Sequence, residues 1–434
     1  MRIGRSVFFV GLAVLVATHP VAPATRYDRI HTLTPKEGVF AYARISPDGK
    51  RLAYASQISA RPSSQRAWTV TVVDLATHAV LFSEPGIDAY WSNDGGRLIY
   101  SGADGVTIWN VDTGASVSSP EASGLGDYYS WAVRDGKDLI LTIQSNYYYL
   151  ADGKPALPHT KVKSCDRIGV GERPLISHDG TRITTFFKGN LVVRGLDNCD
   201  NIFDTGIQGS KADFSWDGRY IAFHAVKKEG VGYEIRIVDL EKRTVRTLPG
   251  LEGSALFPSW TADGRLSFRY DGPDYRGFMM AAAPLDAPSE PLPTTAEALP
   301  DGRRWETIFP ETRVGPRGLR LVMIWAPWSA HSFEAFTNLE RARDYFAAHG
   351  VAIDMTAAAD PGSRETDIAQ QLADFRVTVP RIPLSPKGLS MTEARNQMPT
   401  TLLFRDGVLI DRRLGAQSFD ELRDWIVARD RTSR

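Results

Sequence analysis

Apolar and polar residues alternate in short runs through the first two thirds of the chain, and each run opens at a turn signal. After the Asp-Gly pair at position 48, Arg51-Leu52-Ala53-Tyr54 follow the period of a half-buried strand. Second strands of the same kind are "WTVTVVDLATH" from Trp68, "VTIWNVDTGA" from Val106 and "YEIRIVDLEKR" from Tyr233. Past residue 305 the period changes. "LRLVMIWAPW" reads as a buried strand and "SFEAFTNLERARDYFAAHG" as an amphipathic helix ending at Gly350. "VAIDMT" is a second strand, "RETDIAQQLADF" a second helix, "TTLLFRDGVLIDRRLG" a hairpin and "SFDELRDWIVARD" a closing helix.

The strand pattern repeats. "ISPDGKRLAYAS", "WSNDGGRLIYSG", "VRDGKDLILT", "ISHDGTRITTFF", "FSWDGRYIAFHA" and "WTADGRLSFRY" place Asp-Gly pairs at positions 48, 94, 135, 179, 217 and 263. That spacing is one small antiparallel sheet per copy, the length of a propeller blade. Asp-Gly supplies the positive φ of a tight hairpin. Six such sheets closing radially leave few open edges, and "YDRIHTLT", ahead of the first copy, is placed to complete the last sheet and close the ring. Five prolines between Pro284 and Pro300 separate this region from the α/β part and read as an extended linker.

Composition adds the compartment. "MRIGRSVFFVGLAVLVATHPVAPA" joins Arg2 and Arg5 to an apolar run and an Ala22-Pro23-Ala24 cleavage site, so residues 1–24 read as a secretory signal peptide cleaved after Ala24, with an uncleaved anchor as the other reading. No stretch has the length of a stable membrane span. The remaining chain is acidic by two charges, which offers nucleic acid no attraction. Cys165 and Cys199, in a chain bound for an oxidising compartment, are expected to pair; the loop between them is worth about 3–4 kcal/mol in the chain-entropy model. The eight histidines are scattered, so no metal site and no cofactor are expected, and His178 and His224 read as surface or satisfied core histidines. The aromatic runs at Asp127–Trp131 and Ser145–Leu150 fit strand packing better than a ligand face.

The Asp-Gly copies resemble the WD40-like propeller repeats of the TolB type over about residues 30–285. The elements from about 305 to 430 resemble a thioredoxin-like domain, in particular its TlpA-type extracytoplasmic branch. Trp325 and Trp328 match the tryptophans of W-x-x-W-C-x-x-C, Met398-Pro399-Thr400 the cis-proline loop, and Arg405-Asp406-Gly407 with Leu414-Gly415-Ala416 the following hairpin and glycine. The resemblances together imply a multi-domain chain: residues 1–24 a signal peptide, 25–284 an all-β six-bladed propeller, 285–304 a Pro-rich linker, and 305–434 a C-terminal α/β thioredoxin-like domain.

The match breaks where the chemistry sits. Ser329 and Ser332 occupy the two cysteine positions, with Ala330 and His331 between them, while Met323, Ala335 and Thr337 replace accessory residues of the family. A hydroxyl forms no mixed disulfide, so no catalytic residue is assigned. Three readings of the motif remain: helix capping by Ser329 or Ser332, a recognition groove built from Trp328, Ser329, Ala330, His331, Ser332, Met398 and Pro399, and a Ser–His pair disfavoured by its i, i+2 spacing. The functional expectation is an exported, periplasmic or secreted, non-redox binding or scaffold protein with a protein or peptide partner. The alternative is an envelope thiol–disulfide oxidoreductase or accessory factor of the TlpA type.

Overall fold

In a computed structural model, the structure describes residues 26–33, 39–57, 68–102, 105–119, 129–142, 146–151, 154–155, 160–162, 174–187, 190–198, 203–227, 232–282, 288–293, 304–312, 317–329, 331–392, 394 and 398–431. The signal segment, Cys165 and Cys199 lie outside them, as does Ala330.

Residues 27–291 form a propeller-like array of antiparallel sheets. Strands Val39–Ile45, Arg51–Gln57 and Trp68–Asp74 pair in order, and the 12-residue strand Val80–Trp91 serves two sheets. Its first half closes the first sheet against Trp68–Asp74; its second half pairs with Arg97–Gly102 and opens the next. Burial switches with that change of role: Val80–Pro85 is mostly exposed, whereas Gly86–Trp91 is buried. Further sheets are built on Tyr129–Arg134, on Arg182–Phe187 with Ile176 bridged to Ile183, on Ser210–Phe214 and on Ser254–Trp260.

The turns explain why the sheets start where they do. At each Asp-Gly pair the glycine has φ between 68° and 83°, a region open to Gly at little cost. In five of the six a Ser or Thr two residues before the Asp donates its hydroxyl to that carboxylate, as from Ser46 to Asp48 at 2.6 Å. The carboxylate in turn accepts a backbone N–H from beyond the glycine, as from Lys50 at 3.0 Å. Burial pushes the Asp48 carboxyl up, but the hydrogen bonds from Ser46 and Lys50 with the Arg51 charge outweigh it and hold the group below its ordinary value.

Contacts between turns of different sheets tie the array together. The Pro47 carbonyl accepts from Ala262 N–H at 2.8 Å, the His178 carbonyl from Asn93 at 2.7 Å and from Val133 N–H at 3.0 Å, and the Trp260 carbonyl from the Trp216 indole at 3.2 Å. His178 Nε2 meets the Phe214 carbonyl at 3.1 Å. At the centre, buried Arg44 pairs with Asp213 at 3.0 Å while Asp213 also accepts Trp260 N–H at 2.8 Å, joining three sheets through one carboxylate.

The segments that flank this array are sewn into it. Tyr27–Thr32 pairs antiparallel with Arg276–Ala281, completing the sheet that begins at Ser254. The expected extended linker is corrected in part: Glu290–Pro291 adds to Thr244–Thr247 as a further strand, and Leu292 is buried with its N–H on the Arg243 carbonyl at 3.0 Å. A strand with an open edge accepts any extended segment in register, and a proline at the sheet margin costs no ladder bond.

The C-terminal sheet has the order Ile353–Ala359, Leu319–Trp325, Thr400–Arg405, Val408–Leu414, parallel in the first pair and antiparallel in the other two. Central strand Leu319–Trp325 is buried on both faces. Leu321, Met323 and Trp325 meet helices Ser332–Ala348 and Phe419–Arg431; Val322 and Ile324 face the other way. That second face shares one continuous apolar core with Tyr42, Tyr233 and Phe257 of the propeller-like part, and with Trp305, Ile308 and Phe309 between the two.

Deleting residues 26–33 strips the edge of Arg276–Ala281 and uncovers Phe278, against which Leu33 packs, so the melting temperature should drop by about 5 °C or more, for a loss of a few kcal/mol. An unchanged calorimetric transition would count against ring closure by this strand.

Candidate functional site

The segment between strand Leu319–Trp325 and helix Ser332–Ala348 carries the motif singled out in the sequence. It turns sharply: Ser329 N–H bonds the Ala326 carbonyl and Ser332 N–H the Ser329 carbonyl, both at 3.0 Å. The Met398–Pro399 peptide, which is cis, lies beside it. The structure thus gathers Trp328, Ser329, His331, Ser332, Met398 and Pro399 in one place, and all six are buried.

Both readings of the serines as helix caps are corrected. Ser329 Oγ donates to the Met398 carbonyl at 2.6 Å and Ser332 Oγ donates to the Ala326 carbonyl at 3.1 Å. His331 occupies the cap position without a side-chain cap bond. In a dry site a hydroxyl proton must be placed, and the nearby acceptors are carbonyl oxygens. A hydroxyl that donates to a backbone carbonyl is not activated by any base, so the arrangement lacks an activated nucleophile.

An open recognition groove is corrected as well, because the propeller-like part fills it. Trp328 is 4% exposed. Its ring is edge-on to His224, Tyr233 and Phe257 at 5.8, 6.0 and 5.9 Å between centroids. Its indole N–H donates to Asp360 Oδ2 at 3.0 Å. Fully buried Asp360 also accepts Gly362 N–H and the Ser363 hydroxyl, each at 3.0 Å. Burial pushes this carboxyl above its ordinary range, and the bonds from Gly362, Trp328, Ser363 and Tyr233 restrain the rise. His331 Nε2 lies 3.7 Å from buried Asp88 on strand Val80–Trp91, a pairing between the two parts of the chain. Gln371 donates to the Pro327 carbonyl at 2.9 Å.

His224 is a satisfied core histidine. Its Nδ1 accepts Phe257 N–H at 3.3 Å, which leaves the ring proton on Nε2 to be donated to Ser210 Oγ at 2.8 Å. Burial, with Lys211 and Arg269 adding to it, drives the ring well below its ordinary value, so it is neutral. His178, stacked on Trp216 at 3.8 Å, is also pushed down by burial, against an opposing pull from Asp213. Trp131, Tyr147 and Tyr148 are buried in their sheets, as packing aromatics should be. Among the described residues no three of His, Cys, Asp and Glu gather into a metal-binding group, and no helix is long and apolar enough to cross a membrane.

Sequence reasoning missed Asp88, Tyr233, Phe257 and Asp360. A periodic signal for two of them does exist. Tyr42, Asp88, Lys211 and Phe257 all have positive φ and all stand six residues before the Asp of the next turn, at a bulge in the inner strand. The bulge turns side chains toward the C-terminal part, but with four different residue types it leaves no compositional mark.

The buried neutral histidines fix the sign of the acid response. Their folded pKa values are depressed, so the unfolded chain binds protons first as pH falls through about 6.5, and stability is lost. Asp360 acts in the opposite sense because its folded value is raised. The melting temperature should fall between about pH 7.5 and about pH 5.5, and less steeply in His224→Gln. A flat profile in the wild-type chain would contradict the neutral assignment.

No family model and no curated protein matches the chain. Among solved structures it is similar to TolB from Acinetobacter baumannii, at 16% identity over 60% of this chain and 67% of that one, with a TM-score of 0.34. It is also similar to the hydrazine synthase of Kuenenia stuttgartiensis, at 18% identity over 55% of this chain and 78% of that one, with a TM-score of 0.36.

Proposed function

We propose that this chain is an exported binding or scaffold protein that carries out no dithiol chemistry. In this reading residues 25–284 are a six-bladed propeller, and residues 305–434 are a thioredoxin-like domain whose former thiol site has become the seat of the propeller. The observation that carries the proposal is the burial of the motif: Ser329 and Ser332 are 1% and 0% exposed beneath Trp328, which is itself enclosed by His224, Tyr233 and Phe257. Disulfide exchange requires a thiolate that a second disulfide can approach in line; neither the thiolate nor the approach is present. A protein or peptide partner is then met on surfaces other than this groove. Among the described residues, Tyr42, Asp88 and Phe257, which meet the C-terminal part, stand six residues before the turn Asp, so the partner is placed on the face that bears the Asp-Gly turns. Export rests on the signal-like residues 1–24 alone.

Purified protein is expected to show no dithiol-dependent insulin reduction, and Ser329→Cys with Ser332→Cys is expected to remain inactive, its thiols reacting with a disulfide reagent only on unfolding. Reductase activity in the wild-type chain would overturn the proposal, and rapid activity in the double variant would overturn the sealed site. Trp328→Ala should destabilise the chain by about 3–5 kcal/mol, as for a large buried aromatic, measured by denaturant titration. A loss near zero would mean that the two parts do not depend on this contact.

A further inference from the structure

The Asp-Gly turns are chemically unequal. In an Asp-Gly pair the glycine nitrogen can reach the side-chain carboxyl carbon of the aspartate, because glycine has no Cβ to hinder the approach. The turns at Asp48, Asp94, Asp179, Asp217 and Asp263 hold both of these groups. Each glycine N–H bonds the carbonyl of the Ser or Thr three residues before it, at 2.8–3.1 Å. Each carboxylate accepts that same residue's hydroxyl. The five glycines are buried or half-buried. Burial pushes the Asp48, Asp94, Asp179 and Asp263 carboxyls up, but the hydrogen bonds of the turn outweigh it and hold them below their ordinary value. The neutral carboxyl, from which a hydroxyl can leave, is thereby depleted. Asp271 pairs with Arg269 and Arg276, and the Gly272 N–H bonds the Tyr275 carbonyl at 2.9 Å.

The copy at 135 departs from all of these. Val133 stands where the others have Ser or Thr. Arg134 pairs with Lys137, which leaves Asp135-Gly136 as a two-residue hairpin with φ of 52° and 72°. Both residues are exposed, and among the described residues neither the Asp135 carboxylate nor the Gly136 N–H has a hydrogen-bond partner. Asp406-Gly407 makes the same kind of turn, with φ of 49° and 78°, but there the carboxylate accepts the Gly318 N–H at 2.8 Å.

We propose that Asp135-Gly136 is a self-modification site at which aspartate converts to isoaspartate. The Gly136 nitrogen bonds Asp135 Cγ, the carboxyl hydroxyl and the amide proton leave together as water, and a five-membered succinimide closes. Water then adds to one of its two carbonyls. Opening at the side-chain carbonyl restores aspartate; opening at the main-chain carbonyl leaves the chain running through the former side chain. One water is lost and one is regained, so the mass is unchanged and no other reactant is needed. Isoaspartate adds a backbone methylene to the hairpin, and the hairpin lies at a junction between sheets. Val133 N–H meets the His178 carbonyl at 3.0 Å, and Arg134 pairs with Asp197. The longer link shifts Arg134 against Lys137 and loosens the contact with the sheet built on Arg182–Phe187. This inference is independent of the reading of the C-terminal motif.

The test is incubation of the folded full chain in heavy-oxygen water at neutral pH, then digestion and peptide mapping with electron-transfer fragmentation, which distinguishes isoaspartate from aspartate. The same chain in denaturant is the reference. Among the described Asp-Gly pairs, isoaspartate and heavy oxygen are expected first at Asp135. The rate there should exceed that at Asp48, Asp94, Asp179, Asp217 and Asp263 by at least about tenfold, since two hydrogen bonds must break in each of those turns. It should also exceed the rate at Asp406, and denaturant should level all of them. Asp135→Asn should react faster still at this position, with release of ammonia, whereas Asp135→Glu, whose ring would have six members, should stay unmodified. The purified isoaspartate form should melt below the parent. Isoaspartate appearing first at a hydrogen-bonded pair, equal rates at Asp135 and Asp406, or no label at Asp135 while the denatured chain takes it up there would each overturn the proposal. Should Asp135→Glu not fold, the ranking in the wild-type chain still decides it.

Discussion

Trp328 is the contact on which the arrangement of the two parts depends. A single indole meets three rings from the propeller-like part and gives its one polar hydrogen to a carboxylate on its own side. Edge-on ring pairs are worth about 0.5–1.5 kcal/mol each beyond the area they bury, so three of them bias the orientation as well as the stability. Asp360 is the cost of that arrangement: a fully buried carboxylate whose raised pKa records incomplete compensation by its hydrogen bonds.

The same contact accounts for the serines. With the site opened to solvent, a thiol there would be exposed to exchange; with it sealed, a thiol would have no access to a partner disulfide. Ser329 instead ties the turn to the cis-proline loop through the Met398 carbonyl, and Ser332 ties the helix start to Ala326. Both bonds hold the loop that positions Trp328. His331 Nε2 lies 3.7 Å from Asp88, so the stretch from 329 to 332 bonds within the C-terminal part and touches the propeller-like part through the imidazole.

Much of this was legible in the chain. Asp-Gly with a strand after it marked every turn, because positive φ and period-two burial leave direct traces in residue type. The hairpin at Asp406-Gly407 and the helix end at Gly350 were visible for the same reason. What was not legible is long-range: Asp88, Tyr233 and Phe257 are each separated from Trp328 by scores of residues, and a bulge that redirects a side chain needs no particular amino acid. The capping reading of the serines fails because capping is a local rule, and the proximity of the Met398 carbonyl is not local. Proline enrichment near residue 290 suggested a free linker, yet a short extended segment beside an open strand edge is drawn into the sheet.

The most direct measurement of the sealed junction is hydroxyl-radical footprinting of the intact chain, since Trp and Met are among the most easily oxidised side chains. The account predicts that Trp328 and Met398 are as protected as the core residues Trp131 and Trp305, and become reactive only with global unfolding. Oxidation of Trp328 and Met398 in the folded chain at the rate of exposed side chains would contradict it.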